Sequence, residues 1–322
     1  MSKPILGLVI PCYNEQEVLQ ETAKQLSAVI NGMIDAGMIA ENSKMFCVDD
    51  GSKDSTWNLI ETLAKSNSRV SGIKLAGNVG HQNALMAGLT VAVENCDVTI
   101  SIDADLQDDI DVIKDMVQKY LDGADIVYGV RDSRKTDTFF KKNSALMFYK
   151  LMNGLGAKTI YNHADYRLMS KRAAEKLLSF RERNLFIRGI VPTIGYKTDI
   201  VYYSRHARMA GESKYPLKKM LSFAVDGITS FSIRPIRLIF SVGIIMFIAT
   251  ISASLYALLS YFAGDAVPGW TSLMLSLWFI GSLVLISLGI IGEYIGKIYV
   301  EVKDRPRFFI EKTIIDKDEK KY

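Results

Sequence analysis

At 322 residues, 49% of them hydrophobic, the chain is long enough for one large globular domain or two smaller ones and has ample apolar material for a core. The net charge of +4 matters less than its placement, with acids clustered at residues 103–111 and bases at 205–237. Cys12, Cys47 and Cys96 are odd in number and lack metal-ligand spacing, which argues against a disulfide framework or a zinc site and for reduced, structural thiols on the cytosolic side.

Residues 5–10 form an apolar run too short for a signal-peptide core, and they meet Pro11 without a small-residue cleavage pattern, so they are read as a first strand. Similar β-rich runs recur at 45–48, 70–75, 98–102 and 126–130, separated by segments with helical patterning. That alternation predicts βαβ units and a mostly parallel sheet. Ligands of such sheets sit beyond the carboxyl ends of the strands, and here those ends read PCYNE, DDGS, NVGHQ, DADLQ and GVRDSR. A less regular region follows: a helical stretch over 139–155, a loop ending in HADYRLMS, a helix from Lys171 and the alternating YKTDIVYY. Residues 216–231 place Leu217, Met220, Leu221, Ala224, Ile228 and Phe231 at helical intervals, which fits either a helix packed on the core or one lying in a membrane interface.

Residues 238–264 and 266–292 contain no charged side chain, and each run exceeds the roughly 20 residues needed to cross a bilayer core. Arg234 and Arg237 precede the first run, Lys297, Lys303, Arg305 and Arg307 follow the second, and the loop between them has no Lys or Arg. This asymmetry predicts two spans with both termini cytoplasmic. Gly281, Ser282, Gly289 and Gly292 permit close helix packing or homo-oligomerisation.

The stretch SIDADLQDD concentrates negative charge at the end of an apolar run. Residues two apart in extended chain share a face, so Asp103 and Asp105 can point at one site, with Gln107 close enough to join. Two carboxylates and an amide oxygen suit Mg²⁺ or Mn²⁺, completed by phosphate oxygens and water. Asp108, Asp109 and Asp111 are read instead as the acidic opening of a helix.

The set VIPCYNE, VDDGS, NVGHQNA, DADLQD, HADYRLMS and RMAGESKY, in this order, resembles glycosyltransferase family 2, in particular its polyprenyl-phosphate branch of dolichol-phosphate mannose synthases and bactoprenol glucosyltransferases. It covers residues 4 to about 215 closely, departing at Asp109, where the branch commonly has Pro. The resemblance implies a GT-A type, Rossmann-like α/β domain over 1–215, amphipathic interface helices over 216–235, transmembrane helices over 236–264 and 268–294, and a cytoplasmic tail over 295–322. It assigns Pro11, Tyr13, Asn14, Glu15, Asp49 and Asp50 to a nucleotide base and ribose pocket, where a proline and an aromatic offer a stacking surface. The same residue types also fit simpler roles, a helix N-cap at Asn14 and Glu15 and a tight turn at Asp50 and Gly51. Asn78 is expected to brace its loop, and His81 is not expected to be a catalyst. Asp103, Asp105 and Gln107 inherit a metal and diphosphate role, Asp103 also touching the nucleotide, and Arg208 and Lys214 the cationic side of that clamp. Asp165 corresponds to the position assigned as catalytic base. A lipid-phosphate acceptor is already mostly a dianion at neutral pH, so positioning is an alternative role for it. Arg131, Lys142 and Ser144 resemble an acceptor-phosphate site.

What the resemblance implies is inverting transfer of one hexose from a nucleotide sugar, UDP-glucose or UDP-N-acetylglucosamine, to undecaprenyl phosphate, with Mg²⁺ or Mn²⁺ as cofactor. Implied partners are the bilayer, a second copy of the chain, a flippase and a second glycosyltransferase; nucleic acid is not among them. The alternatives are an enzyme like dolichol-phosphate mannose synthase using GDP-mannose and a non-catalytic membrane scaffold. A processive polysaccharide synthase is disfavoured because the chain lacks a QxxRW motif and further spans.

Overall fold

The computed structural model describes residues 3–131, 163–183, 185–204, 234–262, 269–316 and 318–321. The described residues fall into two compact units, one built on a sheet and one helical. The expected helix over 139–155 and the expected interface helix over 216–231 lie outside the described residues.

The sheet unit begins as the alternation predicts. Strands β1 (Leu6–Cys12), β2 (Lys44–Asp49), β3 (Val70–Leu75), β4 (Val98–Ser101) and β5 (Ile126–Arg131) alternate with helices α1 (Leu19–Asp35), α2 (Thr56–Ser66), α3 (His81–Asn95) and α4 (Val112–Leu121). Every residue of β1 is buried, as expected of a parallel strand covered on both faces. On one face Leu6, Leu8 and Ile10 join Leu19, Ala23, Leu26 and Ile30 of α1 in the main core. On the other face α3 packs so closely that a Cβ at Gly88 would stand 2.4 Å from the Val9 side chain and 2.7 Å from that of Val48. All three cysteines are free and buried.

The chain continues through β6 (His163–Ser170), α5 (Lys171–Ser179), the short helix α6 (Ile187–Ile190) and β7 (Thr198–Tyr203). Two strands near the C-terminus, β8 (Ile310–Ile315) and β9 (Asp318–Lys321), complete a nine-stranded sheet of order β7-β5-β6-β4-β1-β2-β3-β8-β9. The expectation of a mostly parallel sheet needs correcting. The strands β3, β2, β1 and β4 are parallel, but β6 runs antiparallel to both β4 and β5, and β8 is antiparallel to β3. The sheet is therefore mixed.

The HADYRLMS segment, expected as the end of a loop, is the whole of β6. Its alternation is present but disguised. Tyr166 and Leu168 enter the main core, while Asp165 and Arg167 share the opposite face and neutralise each other. The segment expected as a tail supplies β8 and β9. Lys74 pairs with Glu311 at 2.9 Å, Lys312 with Glu61 at 3.2 Å, and both lysines lie within 6 Å of the Trp57 ring centre, at 5.9 and 5.7 Å.

The helical unit holds α7 (Arg234–Phe262, 29 residues) and α8 (Trp270–Val302, 33 residues), which touch each other. Their apolar side chains are largely exposed, including Leu255, Tyr256, Leu277 and Leu285. Among the described residues one segment, Phe279–Val302, meets the length and hydropathy needed to cross a membrane.

Candidate active site

The parallel strands β1, β2 and β4 end on the same side, and the loops that follow them build the site. After β1, Tyr13 is 40% exposed and so offers a face for stacking, whereas Pro11 is buried inside the strand and offers none. Asn14 turns the chain with φ 56°, in the left-handed region that asparagine tolerates. It is stitched to the loop after β2: its backbone N–H donates to Ser52 Oγ at 3.0 Å, and its Oδ1 accepts from the Lys53 N–H at 2.9 Å. The Glu15 N–H donates to Thr56 Oγ1 at 2.8 Å. Helix α1 starts at Leu19, so neither residue is its N-cap.

Asp49 ends β2, Asp50 follows it, and both are almost wholly buried, at 1% and 3% exposure. Burial raises the pKa of each, opposed at Asp49 by hydrogen bonds from Ser52 and at Asp50 by the N–H groups of Val79 and Gly80. The Asp50 carboxylate accepts those two N–H groups at 2.7 and 3.0 Å, and Asn78 Nδ2 donates to the Asp50 carbonyl at 3.0 Å. Asn78 thus braces its loop as expected. Gly51 has φ 66°, and a Cβ there would stand 2.6 Å from the Asn78 backbone nitrogen, so the turn demands glycine.

Beyond β4, Asp103 keeps 43% of its side-chain exposure and its Oδ1 stands 3.7 Å from His81 Nε2, at the start of α3. Enclosure by the protein, opposed by His81 and reinforced by Asp108, Asp165 and Asp105, pushes its pKa up to about 6. The neighbouring carboxylates add to the same upward push. Asp105 Oδ1 accepts the Gln107 N–H at 3.2 Å across Leu106, which has φ 52°, and Gln107 is buried. A cation would relieve this crowding. Among the described residues no cluster of three or more His, Cys, Asp or Glu is arranged to hold a metal ion alone. Asp103 and Asp105 therefore suit a hard cation that completes its shell with phosphate oxygens and water.

Asp108 is not the helix-opening acid it resembles. It is 4% exposed, accepts from Tyr203 Oη at 2.6 Å and pairs with Arg131 Nη2 at 3.4 Å. Burial pushes the Tyr203 phenol well up, reinforced by Asp108. Arg131 Nε also donates to Tyr203 Oη at 3.3 Å, and Tyr203 meets Tyr166 edge-on at 5.4 Å.

Asp165 accepts from Arg167 Nη2 at 2.8 Å, and a two-point fork from Arg188 reaches it at 3.1 Å from Nε and 2.9 Å from Nη2. Burial works to raise its pKa, yet Arg188 and Arg167 hold it well below the usual carboxylate range. Arg208, Lys214, Lys142 and Ser144 lie outside the described residues.

Residues 8–178 match the family described as Glycosyl transferase family 2, over half of the chain. The chain belongs to this family. Residues 234–298 of this glycosyltransferase match the GtrB C-terminal hairpin. It is 56% identical to an uncharacterized glycosyltransferase, YkoT, of Bacillus subtilis, over 96% of this chain and 92% of that one. It is 38% identical to the SfII prophage-derived bactoprenol glucosyl transferase of Shigella flexneri, over 96% and 98%. With the prophage bactoprenol glucosyl transferase homolog of Escherichia coli K12 it shares 37% identity over 96% and 99%.

Three residues that pair with side chains of the candidate site carry little signal in the sequence. Arg167 lies inside HADYRLMS, whose alternation sets it on the same face as Asp165. Arg188 and Tyr203 carry no local signal, since their partners Asp165 and Asp108 are 23 and 95 positions away.

Proposed function

We propose that this enzyme transfers a single hexose, with inversion, from a nucleotide sugar to a polyprenyl phosphate at a membrane surface, using UDP-glucose or UDP-N-acetylglucosamine as donor and undecaprenyl phosphate as acceptor. The observation that carries the reading is the likeness, along nearly the whole chain, to proteins named bactoprenol glucosyl transferase. The matched C-terminal hairpin and two helices of 29 and 33 residues support two membrane spans, and the charge asymmetry around them supports cytoplasmic termini. A long isoprenoid leaves a bilayer only at great cost, so a site that works on its phosphate must come to the headgroup plane.

In this reading Tyr13 stacks on the base, and the laced loops around Asn14 and Ser52 shape the ribose pocket from beneath. Asp103 and Asp105 hold Mg²⁺ or Mn²⁺, which supplies charge neutralisation for a departing diphosphate. Arg208 and Lys214 complete the donor clamp, and Arg131, with Lys142 and Ser144, receives the acceptor phosphate. The acceptor oxygen attacks the anomeric carbon from the side opposite the diphosphate; alignment by these side chains removes the entropic part of the barrier.

The test is the full chain in lipid, given radiolabelled UDP-sugars, Mn²⁺ and undecaprenyl phosphate. A chloroform-soluble monosaccharide product supports the reading. A long polymer, or no product with any donor, contradicts it.

A further inference from the structure

One carboxylate, Asp165, serves two guanidinium groups, and that sharing is an odd use of a residue meant to accept a proton. Arg167 is 2% exposed, and among the described residues its Nε and Nη1 have no hydrogen-bond partner, so within them its buried charge rests on a share of Asp165. Arg188, with 38% of its side chain exposed, is the member of the trio that reaches the open side. Its helix α6 is pinned where the Ile187 N–H donates to Gln82 Oε1 at 3.0 Å, and Gln82 follows His81, whose ring faces Asp103. Arg188 is thereby registered to the end of the site that holds Asp103. The positive charge of Arg131 opposes that of Arg188. Among the described residues, the titratable and charged groups that act on Asp165 include His81 from α3, Asp103 from the loop after β4, Arg167 from β6 and Arg188 from α6.

A carboxylate gripped at both oxygens by arginines is a stable anion and a poor proton acceptor. A phosphate monoester, with its second pKa near 6, needs no base at neutral pH. We propose that Asp165 is a positioning residue, a fixed counter-anion for Arg188, and that the Arg188 guanidinium binds the phosphate monoester of the acceptor. The proposal rests on the lipid-phosphate acceptor argued above. The acceptor oxygen's lone pair forms the bond to the anomeric carbon, the carbon–oxygen bond to the diphosphate breaks, and its electron pair leaves on the diphosphate. No proton passes to Asp165.

The experiment compares full-length wild type with Arg188→Ala, Arg188→Lys, Asp165→Asn and Asp165→Glu in lipid. It measures KM for both substrates, the pH–rate profile, and binding of UDP with Mn²⁺ and of farnesyl phosphate. Arg188→Ala is expected to raise the acceptor KM about tenfold or more and weaken farnesyl phosphate to match, while UDP binding and donor KM stay within about twofold. Arg188→Lys recovers part of the loss. Asp165→Asn keeps measurable turnover with a raised acceptor KM and an unchanged profile shape from about pH 6 to 8.5. A donor KM that moves in place of the acceptor KM assigns the bound phosphate to the nucleotide sugar and overturns the proposal. So does Asp165→Asn that binds UDP normally, keeps its acceptor KM and loses turnover, with Asp165→Glu displacing a basic limb of the profile. If wild type binds farnesyl phosphate no better than farnesol, the functional reading fails and the inference falls with it.

Discussion

The Asp50 carboxylate receives two backbone N–H groups, from Val79 and Gly80, in a place where water reaches only 3% of the residue. Asp50→Ala leaves both donors unmet, and the expected loss is roughly 1–3 kcal/mol by chemical denaturation, with Asp50→Asn losing less. Asp165 sets a pH dependence whose sign follows from its depressed folded-state pKa. Its stabilisation is complete above the ordinary carboxylate value of about 3.9 and is lost as pH falls through the folded value. The stability gap between wild type and Asp165→Asn is therefore expected to be level from about pH 5.5 to 8 and to narrow below about pH 4, as denaturation at several pH values would record. The place of Asp103 and Asp105 just beyond a strand end was legible because an apolar run that stops at acids shows itself locally. Asp108 was misread for the converse reason: an acid just ahead of a helix looks the same whether it caps that helix or is buried, and Tyr203, which decides the matter, comes from a distant strand.

At the scale of elements, the parallel half of the sheet was readable because each of its strands is a continuous apolar run between helical patterns. The antiparallel half was not, because β6 keeps a charged pair on one face and its alternation is masked. The C-terminal strands were equally hidden: IEKTII and DEKK are short, charged and far from β3, the strand that β8 joins. β8 nevertheless covers the β3 edge, with Thr313 and Ile314 buried at 2% and 1% exposure. Ile314→Ala is expected to cost roughly 2–5 kcal/mol, measured by thermal unfolding. Deleting residues 310–321 uncovers a strand edge of six residues, and light scattering is expected to show aggregation of the purified variant.

For the molecule as a whole, the helical unit exposes aliphatic and aromatic side chains along α7 and α8 that water does not favour. Full-length protein is expected to sediment with membranes through high salt and alkaline washing and to be released by detergent; release by salt alone would contradict the spans. We propose that Asp103 and Asp105, at the rim of β4, carry a cation-assisted sugar transfer to a lipid phosphate. The direct measurement is the rate of lipid-extractable label formed from radiolabelled UDP-sugar and undecaprenyl phosphate with Mn²⁺, for wild type, Asp103→Asn and Asp105→Asn. The account predicts a fall of roughly 10²–10³-fold in each variant, and loss of wild-type activity on chelation of the metal. Variants that transfer sugar at the wild-type rate, or a wild type indifferent to chelator, would contradict it.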